Sequence, residues 1–217
     1  MDEVIILGAG GHGKVVLDIL LAQGAYRPVG FVDDNPAMAG RLVCGLPVLG
    51  RLADLPRLRA GGLRHAVIAI GDNATRLRHR PVLEGQGFEL VTAVHPTAFV
   101  SPRSTIGRGV VVAPRACLVV DCAVGDMAIV NTGAVVDHEG DVGEGAHVGP
   151  AAALSGRVVL GRGAFVGTGA AVIQGRRIGR FATVGAGAAV VRDVPDHATA
   201  VGVPARVIKV SPPPAGL

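Results

Sequence analysis

Every sixth residue from Val94 to Val190 is aliphatic. The series runs Val94, Val100, Ile106, Val112, Leu118 and on without interruption for 17 positions. Four places after the anchor, from Ala98 to Ala188, the residue is Ala, Gly, Ser, Cys or Val at 15 of 16 positions, with Arg176 as the exception. Neither the 3.6-residue period of a helix nor the 2-residue period of a strand produces a spacing of six, so this is a repeat architecture. Short flat sides joined by bends make a solenoid whose coils stack at about 4.8 Å, with the anchors pointing inwards. Glycine follows the anchor directly at eight positions between Gly107 and Gly185, where a tight corner is expected to need its conformational freedom.

Residues 1–92 read differently. VIILG (4–8), PVGFVDD (28–34), AVIAIG (66–71) and ELVTAV (89–94) have strand character. KVVLDILLAQG (14–24) and DNATRLRHRPVLEGQG (72–87) have helical spacing, the second opening with Asp72 or Asn73 as N-cap and bent or divided at Pro81. Strands alternating with helices predict a small Rossmann-like parallel sheet, an α/β unit, ahead of the solenoid. The division expected is 1–92 and 93–217.

Composition excludes several functions. Aromatic residues are 3% of the chain and Trp is absent, so the solenoid interior must be filled by Val, Ile, Leu and Ala. A net charge of +4 with scattered arginines lacks the clustered cations and stacking rings of a nucleic-acid surface. No apolar run reaches the roughly 18 residues that span a bilayer, so no membrane insertion is expected. MDEVIILG lacks the basic start of a signal peptide. Cys44, Cys117 and Cys122 have no metal spacing and fit a reducing cytoplasm. No metal site is expected.

GAGGHG (8–13), FVDD, AIGDN, HPTAFVSP, VNTGAVVDHE and VGVPARVI together resemble one subgroup of the hexapeptide acyltransferases. That subgroup contains the bacterial nucleotide-sugar N-acetyltransferases of the bacillosamine and perosamine type and the sialic acid O-acetyltransferases. The resemblance runs from about residue 4 to residue 208. It implies a left-handed parallel β-helix of roughly five coils, three hexapeptides to a coil. It also implies acetyl-CoA as co-substrate and a homotrimer with acetyl-CoA lying between adjacent solenoids.

In an 18-residue coil, His138 faces outwards two residues after an anchor, with Gly156 above it and Gln174 above that. A histidine under a glycine leaves a vacant spot beside a free backbone N–H, which suits a base and an oxyanion donor. Asn131 has Gly149 and Gly167 above it. His147 is half a coil from His138, so within one chain the two face different sides. By resemblance, His138 is the general base, Glu139 raises its basicity, and Asn131 completes the catalytic set. His147, Gly156, Thr168 and Arg180 match acetyl-CoA-contacting positions, Arg180 as a phosphate partner. Read from the residues alone, His138 is equally a solvated histidine on a solenoid face.

Gly8, Gly10 and Gly13 form GxGxxG after a strand, and Asp33 lies 20 residues beyond Gly13. Taken alone this is a dinucleotide fingerprint and suggests a dehydrogenase. Only four strands precede the solenoid, half the usual fold. The resemblance implies instead that Gly10, Gly11 and His12 hold the diphosphate of a nucleotide sugar. Asp33 and Asp34 would meet the base or ribose, and Gly71 would sit against the nucleotide. The reading that follows is an acetyl-CoA-dependent N-acetyltransferase acting on a nucleotide-linked amino sugar. Its rivals are sugar O-acetylation and a non-catalytic nucleotide-sugar-binding protein.

Overall fold

The computed structural model describes residues 1–217. The chain begins with β1 (Asp2–Leu7), α1 (Gly11–Gln23), β2 (Tyr26–Val32), β3 (Leu42–Val43) and β4 (Leu46–Gly50). It continues through α2 (Leu55–Ala60), β5 (His65–Ile68), α3 (Asn73–Gly85) and β6 (Glu89–Leu90). These strands form one sheet in the order β3-β4-β2-β1-β5-β6, parallel except for the β3–β4 hairpin. That hairpin and α2 were not foreseen. The hairpin turns at Cys44 and Gly45, both with positive φ (49° and 83°), the geometry of a two-residue hairpin loop. Pro81 lies inside α3 without dividing it, and Asp72 rather than Asn73 is the N-cap, accepting from the Thr75 N–H at 2.8 Å.

The run 89–94 is two strands. β6 closes the first sheet, and Ala93–Val94 opens the solenoid. From there, seventeen two-residue strands alternate among three parallel sheets, giving five full coils and two sides of a sixth. Partners stand 18 residues apart, as in Val112 with Val130 and Val130 with Val148. The anchors and the small residues four places after them make a buried cluster of 29 residues. The strand Ala198–Val201 extends the first face beyond Thr183–Val184, and Arg206–Val210 turns back antiparallel along it.

The corner glycines have a different cause from the one expected. The left-handed residue at each corner is the third after the anchor: Gly133, Glu139, Gly145, Ala151 and so on at six-residue intervals. Glycine directly after the anchor does not have positive φ. It is needed because the next coil passes close by. A Cβ on Gly143 would come within 2.7 Å of the Arg162 backbone nitrogen, and one on Gly149 within 2.6 Å of the Val166 carbonyl oxygen.

The N-terminal sheet packs on the first face of the solenoid. Val111, Ala113 and Ile129 share a buried cluster with Val4, Ile6 and Val16. α3 then runs along a stack of corners. Asn73 Nδ2 donates to the Gly163 and Ala164 carbonyls, each at 3.0 Å. Arg76 donates to the carbonyls of Met127 and Gly145, and Arg80 pairs with Asp126 (2.8 Å) and Glu144 (2.7 Å). As the helix advances, its partners move back along the stack: Asn73 meets the coil of Gly163, while Arg76 and Arg80, one turn apart, both bridge the two coils before it. The domains are therefore joined by a polar seam as well as an apolar one.

Candidate active site

His138 and Glu139 occupy the corner between the second and third faces, immediately after Val135–Val136. His138 is half exposed. Its Nδ1 lies 3.4 Å from a Glu139 carboxylate oxygen, which leaves Nε2 as the free side of the ring. Glu139 also lies 3.9 Å from Arg157, its counterpart one coil on. The spot under Gly156 is not vacant as expected, because the His138 ring fills it. A Cβ at residue 156 would collide with Nε2, Cε1 and Cδ2 of that ring. The Gly156 N–H donates to no protein acceptor, while its carbonyl accepts from Gly175 N–H at 2.9 Å. A free ring nitrogen and an unpaired N–H thus stand together on a corner that faces away from the core.

Asn131 is on another corner, between the first and second faces. Its Oδ1 accepts from the Thr132 N–H at 2.8 Å, so its NH₂ faces His147 Nε2 at 3.0 Å. His147 lies on the first face, buried beneath the N-terminal domain, with the Phe165 ring 5.1 Å away and the His12 ring 6.5 Å away. Burial, then the nearby Arg76 guanidinium and His12, push its pKa down to about 3. Burial and Arg76 likewise bring His12 down to about 4. A cleft of about 370 Å³ opens between the domains here, lined by Gly71, Asp72, Asn73, His147, Phe165 and Phe181 among others.

The glycine-rich loop builds a separate pocket of about 380 Å³. Ala9, Gly10, Gly11 and Lys14 form one wall, and Met38, Arg41 and the hairpin through Cys44 form the other. Gly10 is the N-cap of α1 and no side chain caps that end. Two cations beside a helix N-terminus make a site for an anion. Gly13 permits the tight strand-to-helix turn, since a Cβ there would strike the Gly8 carbonyl oxygen.

Several expected site residues are placed apart. His12 lines the domain interface, with a buried, unpaired Nε2, and not the Gly10–Gly11 pocket. Gly71 lines the interdomain cleft. The Asp33 carboxylate accepts from the Ala9 N–H (2.7 Å) and the Asn35 N–H (2.9 Å), and Asp34 accepts from the Leu52 N–H (2.9 Å). Both acids brace loops. Gly156, Thr168 and Arg180 follow strands of three different faces, so they sit on three different corners of one chain. His138 lines neither cleft. Sequence reading missed Asn73, Arg76, Lys14 and Arg41. The signal for the first two was a polar pair one helical turn apart at the start of α3.

The sequence model of the PglD N-terminal domain matches residues 3–79. A histidine-to-asparagine mutant of perosamine N-acetyltransferase from Caulobacter crescentus, solved with CoA and GDP-perosamine, superposes with a TM-score of 0.93. The two are 45% identical, over 96% of this chain and 98% of that one. The acetyltransferase domain of PglB from Neisseria gonorrhoeae, solved with acetyl coenzyme A, gives a TM-score of 0.89 at 37% identity, over 95% and 98% of the two chains. UDP-N-acetylbacillosamine N-acetyltransferase of Bacillus subtilis is 38% identical over 113 residues, 52% of this chain and 51% of that protein. Protein L142 of Acanthamoeba polyphaga mimivirus is 29% identical over 127 residues, 58% of this chain and 24% of its own length. The matched stretches thus span about half or less of those two curated relatives. The N-terminal parallel sheet, the three-faced solenoid and the near full-length likeness to these enzymes agree, and the chain belongs to the perosamine- and bacillosamine-type nucleotide-sugar N-acetyltransferases of the left-handed β-helix fold.

Proposed function

We propose that this protein transfers acetyl from acetyl-CoA to the amino group of a nucleotide-linked amino-deoxy sugar, with His138 as general base. The observation that carries this reading is the His138–Gly156 contact, which sets a free imidazole nitrogen beside an unpaired backbone N–H. Nε2 of His138 accepts the proton of the attacking amine and later returns it to the leaving thiolate. The Gly156 N–H donates to the carbonyl oxygen as negative charge gathers there. Glu139 faces Nδ1, fixes the tautomer and supports the imidazolium that forms.

The anion pocket at Gly10, Gly11, Lys14 and Arg41 suits the diphosphate of the sugar nucleotide. Structures of the Caulobacter enzyme with one histidine replaced by asparagine or alanine hold both CoA and GDP-perosamine. That is what a histidine used for chemistry, and not for holding ligands, permits. His138 lies outside both clefts of its own chain, so the working enzyme is a homotrimer in which adjacent solenoids close the site. Here Gly156, Thr168 and Arg180 come together from different copies. We place the enzyme in the cytoplasm, the reducing compartment that its three free cysteines fit; no helix is long and apolar enough to cross a membrane.

The test incubates the protein with acetyl-CoA and, in turn, GDP- and UDP-linked 4-amino-4,6-dideoxy sugars and free sialic acid, following thiol release and product mass. Amide formation on a nucleotide sugar is expected, with turnover of His138→Ala reduced by about 10² or more. Acetylation of sialic acid hydroxyls alone would replace this reading with the O-acetyltransferase one.

A further inference from the structure

Arg76 is fully buried, yet none of its five acceptors is a carboxylate. Nε donates to the Met127 carbonyl (2.8 Å) and Nη2 to the Gly145 carbonyl (2.7 Å), both on the solenoid. Nη1 donates to the carbonyls of Ile70 (2.8 Å) and Gly71 (3.2 Å), and Nη2 also to Asn73 Oδ1 (2.7 Å). Docking alone does not call for a buried cation, because the Arg80 ion pairs and the apolar cluster already hold the domains together. The loop that Arg76 ties down stands against His147: Gly71, Asp72 and Asn73 line the same cleft as the ring, and the Gly71 backbone favours the protonated ring against the stronger effects of burial and charge. His147 in turn receives the Asn131 amide, and Asn131 holds the Thr132 N–H.

We propose that Arg76 is a positioning residue for the transfer site: by tying the Ile70–Asn73 loop to the Met127 and Gly145 carbonyls, it holds the His147 ring in line with the Asn131 amide. This rests on the transfer reading given above. Because Asn131 Oδ1 is committed to the Thr132 N–H, its NH₂ must face His147, and Nε2 must accept. A proton on Nε2 would set donor against donor and break the link. The charged or titratable groups around His147 are Arg76 and Asp72 from the start of α3 and His12 from α1; the Asp72 carboxylate lines the same cleft but is committed to the Thr75 N–H, and the charges that act on the ring are those of Arg76 and His12. The cation at residue 76 therefore supplies alignment through its hydrogen bonds and adds its charge to the larger effect of burial that keeps the ring an acceptor.

Three variants of the full-length protein separate this role from simple docking. Arg80→Gln removes ion pairs of the same seam without touching the loop. It should melt earlier but keep the wild-type His147 titration, read by NMR of histidine labelled at ring carbon, and the wild-type pH profile. Arg76→Gln should raise the His147 titration midpoint by at least one pH unit, displace the acid limb of kcat upwards and cut kcat at least tenfold. A folded Arg76→Gln protein with the wild-type titration overturns the proposal. If that variant does not fold, Arg76→Lys decides. It keeps the charge but loses the fork, so His147 should stay unprotonated while kcat falls at least fivefold, and a wild-type kcat overturns the proposal. The NMR readout needs no turnover. A shifted titration in a protein that acetylates no acceptor would leave the hold of Arg76 on the His147 ring standing, but would remove the transferase reading and with it the role in transfer.

Discussion

The imidazole of His138 packs against Gly156, one coil away, where there is no room for a Cβ. The contact makes the glycine a part of the base's geometry. Gly156→Ala should leave the solenoid folded but force the ring out of its place. We expect turnover to fall by about 10², comparable to loss of the base, and stability to fall by about 1–3 kcal/mol through overpacking. In the double variant His138→Ala/Gly156→Ala the stability loss should shrink, and the rate should fall no further than in either single variant. Steady-state rates and thermal melts of all three proteins check this. Additive losses would mean that the two residues act separately.

Glu139 carries the left-handed backbone, φ +57°, at a corner position where Gly133 and Gly145 stand in neighbouring turns. A non-glycine residue there is strained by roughly 1 kcal/mol. Its contact with Arg157 is exposed and contributes little. Glu139→Gly should therefore be as stable as the wild type or up to about 1 kcal/mol more stable, while turnover falls about tenfold for want of the carboxylate facing Nδ1. A glycine variant with the wild-type rate would reduce Glu139 to a surface acid.

The solenoid was legible because its interior admits only one kind of residue every six, and Val94 to Val190 satisfy that rule without exception. The seam between the domains was less legible, though a signal existed. Residues just before the first-face anchors run Ala93, Val111, Ile129, His147, Phe165, Thr183, and the buried, apolar start of that series marks where the N-terminal sheet lies. Read with the six-residue period alone it is hidden, since only every third strand belongs to that face. Arg76 was not legible at all. An arginine on a helix is ordinarily a solvated one, and only the docking of α3 along the corners buries it. The pairing of Asp33 with the Ala9 N–H was equally hidden, because an acid after a strand reads the same whether it meets a ribose or a backbone amide.

Protons should destabilise this fold in mild acid. An unfolded histidine takes up a proton below about pH 6.5, whereas folded His12 and His147 resist until about 4 and 3. Between those limits the unfolded chain binds more protons, so stability rises with pH and is lost as pH falls from 6.5 towards 4. Each histidine contributes a loss of about 3 kcal/mol by pH 4. The double variant His12→Gln/His147→Gln should show a visibly flatter fall in melting temperature over that range. Equal slopes in the two proteins would mean that the rings protonate in place.

The two nucleotide readings part at the loop that opens α1. Apart from its chain neighbours and the backbone of its own helix turn, nothing lies within 4 Å of the place a Cβ would take on Gly11. Gly11→Val should therefore fold, and its side chain should stand in the pocket walled by Gly10, Lys14 and Arg41. A diphosphate lying against the backbone at the start of α1 would lose its closest approach. The KM for the nucleotide sugar should rise at least tenfold, about 1.4 kcal/mol of lost binding. The KM for acetyl-CoA should be unchanged, because His138 and Gly156 lie on a solenoid corner outside this pocket. The wild-type protein should give no fluorescence change with NADH, since its anion site is built from a helix N-terminus and two cations while both nearby acids are spent on backbone amides. Micromolar NADH binding, or unchanged sugar kinetics in a folded Gly11→Val enzyme, would place the sugar nucleotide elsewhere, with the interdomain cleft at Gly71 and His147 next to be tested.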